Sequence, residues 1–235
     1  MILCIMIAYG KQVCMYILQK HPHIINEIYL AKKIDDKLFK KFSSLDIKII
    51  TPDSKKAQAM ARGGNHQGFL LGIKEYEFST FRSISNSQFV VVLDGLNDIG
   101  NIGSICRTSY ALGVDAVAIC GIKDIKMSQI IRASSGAALD IAVLDCGCIA
   151  TILNELKQKK FYVLGANMSG ETYSDIDISK SHNIALVVGA EGAGLSKKAT
   201  KIIDKNIKID MPNSFDSLNV SVATGILIES IRKRI

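Results

Sequence analysis

The feature that most constrains this chain is a set of short, unbroken apolar runs in its last two thirds. Residues 89–93 read FVVVL and residues 184–188 read IALVV, with no polar break in either. A strand wetted on one side alternates apolar and polar side chains. A strand covered on both faces needs apolar side chains throughout. Further apolar runs at 114–119, 141–144, 162–164 and 207–209, interrupted only by Asp115 and Lys208, are separated by stretches with helical spacing. Such alternation builds an open, mainly parallel sheet covered by helices on both faces. The sequence therefore predicts an α/β domain over residues 88–235.

The first part of the chain has its own rhythm. Helical patterns at 11–19, 35–42 and 53–61 alternate with strand patterns at 27–30, 47–50 and 69–73. Asp53, after Pro52, is placed to cap the third helix. This reads as a small α/β domain over residues 1–75. Residues 76–87 (YEFSTFRSISNS) are polar, Ser-rich and without a period. They read as a linker that lets the two domains move.

Composition narrows the function. The apolar opening of residues 1–9 is far shorter than the roughly 20 residues that span a bilayer. It also lacks the basic flank and small-residue cleavage site of a signal peptide. No membrane association is expected, and a cytoplasmic location is. Six cysteines in 235 residues are too few for a disulfide scaffold. Cys146-Gly147-Cys148 has no second Cys or His pair at zinc spacing, so no metal site is predicted. Charge is uneven. Residues 1–86 hold 13 Lys and Arg against 7 Asp and Glu, whereas residues 87–235 hold 16 against 15. A basic module joined to a near-neutral one suggests a polyanion-binding part, with Lys32, Lys33, Lys37, Lys40 and Lys41 clustered on one helix and its approach.

Three segments carry candidate chemistry. In residues 93–113 a strand ends at Leu93, a polar Gly-rich loop follows, and a helix runs over 102–112 with Gly113 at its end. Asn101 is a candidate N-cap. Arg107, in the second turn, can lean back toward the loop because long helical side chains tilt to the N-terminus. Residues 185–196 give strand, Gly-rich loop and a helix start capped by Ser196. Gly189, Gly192 and Gly194 form G-x-x-G-x-G, which is not the dinucleotide fingerprint. Glu191 in that loop would repel a pyrophosphate but not a cationic ligand. Residues 209–234 give a strand end, a loop and an amphipathic helix starting at Asp216 or Ser217. That helix has no structural need of the polar pair Ser217 and Asn219 at its mouth. Singly, each segment has a plain alternative: a surface Arg, a turn with a solvated Glu, a terminal helix.

Together, N-I-G-S-I-C-R at 101–107, G-A-E-G-A-G-L-S at 189–196 and S-L-N-V-S-V-A at 217–223 resemble the three motifs of the SpoU (TrmH) family. These are S-adenosylmethionine-dependent RNA 2′-O-ribose methyltransferases of the SPOUT class. Y-G-K-Q-V at 9–13, E-I-Y-L-A at 27–31 and G-N-H-Q-G at 64–68 are similar to the substrate-binding domain of the bacterial rRNA members of the RlmB type. That domain itself resembles ribosomal protein L30e.

The resemblance implies an L30e-like N-terminal domain and a trefoil-knotted catalytic domain. It implies a catalytic set of Asn101, Arg107, Glu191, Ser217 and Asn219. It also implies an S-adenosylmethionine site at Val188, Gly189, Ala190, Glu191, Gly192, Ile209, Met211, Leu218 and Asn219, held mainly through backbone. RNA contacts fall to Lys32, Lys33, Lys37, Lys40, Asn65 and His66. The expected partners are large-subunit rRNA, methylated on a guanosine of 23S rRNA, and a second copy in a homodimer. The alternatives are a tRNA 2′-O-methyltransferase of the same family and a non-catalytic RNA-binding ribosome-assembly protein. The chain departs from the family pattern at Ile99, where Pro is usual, and at Asp210, also usually Pro.

Overall fold

The computed structural model describes residues 5–175, 177–178, 183–213 and 217–235. The chain divides into two compact units, one built from residues up to Glu77 together with Lys126–Gly136, the other from Phe78–Ile125 and Ala137–Ile235.

The first unit runs β1 (Ile5–Tyr9), α1 (Lys11–Lys20), β2 (Ile25–Leu30), α2 (Asp36–Ser43), β3 (Ile49–Ile50), α3 (Ser54–Met60) and β4 (Phe69–Lys74). Its sheet has the order β1-β4-β2-β3, with β4 antiparallel to both neighbours and β3 parallel to β2. The sequence pattern alone does not assign strand β1, because a short apolar run fits a buried helix turn as well as a strand. Pairing with β4 decides it. Asp35 caps α2 and Asp53 caps α3, each accepting a backbone N–H at 2.8 Å. Helix α1 follows Gly10, which has no side chain to cap it. Gln67 supplies the cap instead, its Oε1 accepting the Lys11 N–H at 3.1 Å.

The second unit contains β5 (Phe89–Asp94), α4 (Ile99–Ala111) and β6 (Ala116–Cys120). After α5 (Met127–Ala133), which groups with the first unit, it continues with β7 (Ala142–Cys146), α6 (Ile149–Gln158), β8 (Tyr162–Thr172), β9 (Ile184–Gly189), α7 (Lys197–Thr200), β10 (Lys205–Lys208) and α8 (Val220–Arg232). Helix α5 packs on β1, with the Arg132 guanidinium 5.0 Å from the Tyr9 ring centre.

The second sheet is parallel throughout, in the order β10-β8-β9-β5-β6-β7. Every residue of β5, β6 and β9 is buried, as unbroken apolar runs require. Strand β8 extends well past the apolar 162–164 core. Beyond a register shift, its Glu171 and Thr172 pair with Ile207 and Lys208.

The 76–87 segment is not a free tether along its length. From Phe78 it belongs to the second unit. Phe81–Ile84 forms a 3-10 turn whose Phe81 and Ile84 pack on the core, and the Ser79 N–H bonds to the Val143 carbonyl. Residues three apart eclipse in such a turn, so two apolar side chains suffice to dock a polar segment. Among the described residues no helix is long and apolar enough to cross a membrane.

Candidate active site

Strands β5 and β9 pair in register up to Asp94↔Gly189. The chain leaves β5 toward β6 on one side, while β9 lies on the other. Loops leaving such neighbours part company, and the crevice they open at the carboxyl end of a parallel sheet is where ligands collect. Asp94 closes its floor. Buried at the end of β5, it accepts the Ser196 N–H at 2.7 Å and so ties the far end of the 190–196 loop to the sheet. Ser196 in turn caps α7, accepting the Ala199 N–H at 3.2 Å.

Three polar side chains converge above this floor, one from each of the segments singled out in the sequence. The Asn101 Nδ2 donates to Glu191 Oε1 at 3.0 Å. The Asn219 Nδ2 donates to Asn101 Oδ1 at 3.0 Å and to Glu191 Oε1 at 3.5 Å. The Asn219 Oδ1 accepts from Ser221 N, Ser221 Oγ and Val222 N, which makes Asn219 the N-cap of α8. Each amide thus both donates and accepts, and the carboxylate only accepts, as these groups must.

This corrects two expectations. Helix α8 begins at Val220 under Asn219, rather than at Asp216 or Ser217. An amide there reaches the exposed N–H groups of the next residues, and that fixes the start. Asp216 itself lies outside the described residues. Helix α4 is capped by Asp98, whose Oδ1 accepts the Asn101 N–H at 2.6 Å, so Asn101 stands inside the first turn with its amide free for the network. Ile99 is then the first helical residue. Proline is favoured there because its missing N–H would go unbonded in any case, so isoleucine keeps the geometry. Asp210 accepts from the Thr172 hydroxyl at 2.9 Å and lies 3.9 Å from Lys208 Nζ.

The 189–194 loop is closed on itself. Ala190 and Gly194 exchange backbone hydrogen bonds at 3.2 and 2.9 Å, and Gly192 and Gly194 take φ of +77° and +65°. Gly189 is where the closure is tightest, since a Cβ there would lie 2.2 Å from the Gly194 carbonyl group. The loop therefore presents backbone to the crevice, with Glu191 exposed at its tip.

The other sequence-derived positions fall as follows. Val188 and Gly189 are buried at the end of β9, and Ala190 and Gly192 lie in the loop. Ile209 and Met211, just past β10, are half-buried. Ser217 and Leu218 are exposed beside Asn219. Arg107 is exposed on α4 and stands outside the hydrogen-bonded network among the described residues. In the first unit Lys32, Lys33, Lys37 and Lys40 are exposed. The Lys32 stem lies against Gly68, and its ammonium is 5.6 Å from the Phe69 ring centre. Asn65 Oδ1 and His66 Nδ1 each accept a backbone N–H within their own turn, from Gln67 and Gly68.

Residues 88–229 match the SpoU rRNA methylase family, and residues 7–79 match the RNA 2′-O ribose methyltransferase substrate-binding family. The chain belongs to the SpoU rRNA methylase family. Membership makes it an RNA methyltransferase. Among curated relatives, a protein of Staphylococcus epidermidis named as a TrmH-family tRNA/rRNA methyltransferase is 32% identical over 227 residues, covering 90% of each chain. Among solved structures, the SpoU methyltransferase AviRb of Streptomyces viridochromogenes, in complex with AdoMet, superposes with a TM-score of 0.79 at 18% identity, over 98% of this chain and 90% of that one. An AdoMet-bound rRNA methyltransferase of Sinorhizobium meliloti gives 0.75 at 24% identity, over 97% and 87%. These likenesses carry the fold of both parts of the SpoU chain.

Asp94, Asp98 and Ser221 support the site without standing among the residues that the sequence marks. Asp94 and Asp98 had a visible signal, since carboxylates at a strand end and ahead of a helix have backbone N–H groups to satisfy. Ser221 had only its place two residues past Asn219.

Proposed function

We propose that this SpoU protein is an S-adenosylmethionine-dependent RNA 2′-O-ribose methyltransferase acting on a guanosine of large-subunit 23S rRNA. The observation that carries the reading is the Asn101–Glu191–Asn219 network, which joins three segments 90 and 28 residues apart at one crevice. A purely RNA-binding protein has no use for it. The residues fit the cofactor. A loop closed on its own backbone at Gly189 and lined by Gly192 and Gly194 offers backbone groups to a ligand, and the Glu191 charge disfavours pyrophosphate while tolerating a sulfonium. Val188, Gly189, Ala190, Gly192, Ile209, Met211 and Leu218 would hold it, Glu191 and Asn219 bordering them.

When bound, S-adenosylmethionine supplies an already activated methyl group, so the protein's task is positioning and charge. Asn101, fixed by Glu191 and Asn219, orients the ribose. Ser217 and Asn219 bridge the cofactor loop to the nucleophile. Arg107 is assigned a planar fork of donors and not the role of base. It stabilises the negative charge developing on the ribose 2′-oxygen. The knotted threading and the homodimer of the family belong to the same proposal. The dimer is supported by Leu218, just ahead of α8, and Val222, in its first turn, apolar residues 37% and 51% exposed. The cytoplasm is where such a substrate lies.

Glu191→Gln tests the electrostatic part, since it keeps the shape and removes the charge. Calorimetry should show affinity for S-adenosylmethionine falling about tenfold, roughly 1.4 kcal/mol, the scale of two opposite unit charges a few ångströms apart in a water-exposed site. Affinity for the uncharged thioether product should change little. Equal losses would mean that the charge plays no part.

The choice of rRNA rests on the first unit, whose surplus of cations sits on a substrate-binding domain. Replacing Lys32, Lys33, Lys37 and Lys40 by Glu should raise the KM for RNA and flatten the log–log salt slope by up to about 3, near 0.7–0.9 for each phosphate no longer neutralised. Cofactor affinity should stay constant. An unchanged KM and slope would move RNA capture elsewhere.

A further inference from the structure

Away from the Asn101–Glu191–Asn219 crevice, the carboxyl edge of the second sheet gathers three of the chain's six cysteines. Cys120 ends β6 and Cys146 ends β7, and the two are register partners. Interaction with the neighbouring Cys120 thiol holds Cys146 below the usual thiol range against burial and the carboxylates of Asp145 and Glu155. Cys148, two residues on, is exposed and stands at the N-cap of the ten-residue helix α6. The N–H groups of Ala150 and Thr151, and the charge of Lys198, lower its pKa. Gly147 between them has open space where a side chain would be. Among the other described cysteines, none is exposed. Cys14 and Cys106 are buried, and burial pushes Cys106 up to about 12. Methyl transfer uses none of these sulfurs.

We propose that Cys146 and Cys148 form a peroxide-reactive dithiol, with Cys148 as the attacking sulfur and Cys146 as its resolving partner. The Cys148 thiolate attacks one oxygen of hydrogen peroxide. The O–O bond breaks, hydroxide leaves, and Cys148 becomes a sulfenic acid, its sulfur oxidised by two electrons as the peroxide is reduced. The Cys146 thiolate then attacks the Cys148 sulfur. An S–S bond forms, the S–O bond breaks, and a second hydroxide leaves to be protonated by solvent. Cys120, the fully buried register partner of Cys146, takes no part in the exchange. Gly147 lets the backbone fold until the two Cα atoms reach disulfide range, about 4.4–6.8 Å. Cys120 also pairs with Asp94, which holds the Ser196 N–H, and Lys198 lies two residues beyond Ser196.

The test uses the full-length reduced protein, hydrogen peroxide and the sulfenic-acid trap dimedone, read by peptide mass. The wild type should lose two hydrogens from the peptide carrying Cys146 and Cys148 and take up little trap. Cys146→Ser should carry the trap on Cys148. Cys148→Ser, an exposed and mild change, should show neither disulfide nor trap, and Cys14 and Cys106 should stay reduced throughout. A wild-type Cys146–Cys148 peptide left fully reduced would overturn the proposal. So would a disulfide that survives Cys148→Ser, which would assign it to Cys120 and Cys146. The readout is mass, so it stands apart from whether the protein methylates RNA.

Discussion

Replacing Arg107 with Ala should lower kcat by about 10²–10³-fold, the loss seen when one positioned stabiliser of developing charge is removed. Arg107→Lys should recover little of it, because an ammonium point charge does not reproduce a planar fork of donors. Binding of S-adenosylmethionine should survive both changes, since Arg107 is exposed on α4 and outside the network that closes the crevice. Single-turnover kinetics beside calorimetry separates the two quantities. A lysine variant with near wild-type kcat would show that fork geometry is irrelevant and that this role for Arg107 is wrong.

Gly189→Ala should have the opposite signature. Its added Cβ would lie 2.2 Å from the Gly194 carbonyl and 2.5 Å from the Leu195 nitrogen, and both obstacles are backbone. No rotamer change relieves them. Either the loop opens or β9 shifts, at a cost of about 1–3 kcal/mol. Cofactor Kd should rise by about 10²-fold, the equivalent of roughly 2.8 kcal/mol. Melting of the second unit should fall as well. Gly147→Ala is the matched control, because a Cβ there meets nothing within 4 Å. Wild-type cofactor affinity in Gly189→Ala would mean that the closed loop is not the cofactor cradle.

The parts of this molecule that were legible in its sequence are those in which a single segment carries its own reason. Strands β5 and β9 read directly, since burial on both faces leaves no choice but apolar side chains. The caps at Asp53 and Ser196 read directly because a short polar side chain before a helix has one obvious partner. What stayed hidden depends on distant chain. Strand β1 exists because β4 pairs with it. The second half of β8 is polar and is strand only through β10. The grouping of α5 with the first unit depends on β1, Tyr9 and Tyr16, none of them near it in sequence. For the site, motif order named Asn101, Glu191 and Asn219, but nothing in the order says that one amide would donate to that carboxylate and accept from the other amide. Asp94 was passed over because its partner, the Ser196 N–H, is 102 residues away.

Methyl transfer to a ribose 2′-oxygen of large-subunit rRNA is the reaction proposed for the crevice at the ends of β5 and β9. The most direct test incubates the purified protein with radiolabelled S-adenosylmethionine and, separately, with large-subunit rRNA and total tRNA, followed by nuclease mapping of the labelled nucleotide. Label is expected in the rRNA alone, at one guanosine, on the 2′-oxygen. Label on a base, or on tRNA in preference to rRNA, or no label from a folded protein that binds the cofactor, would contradict it.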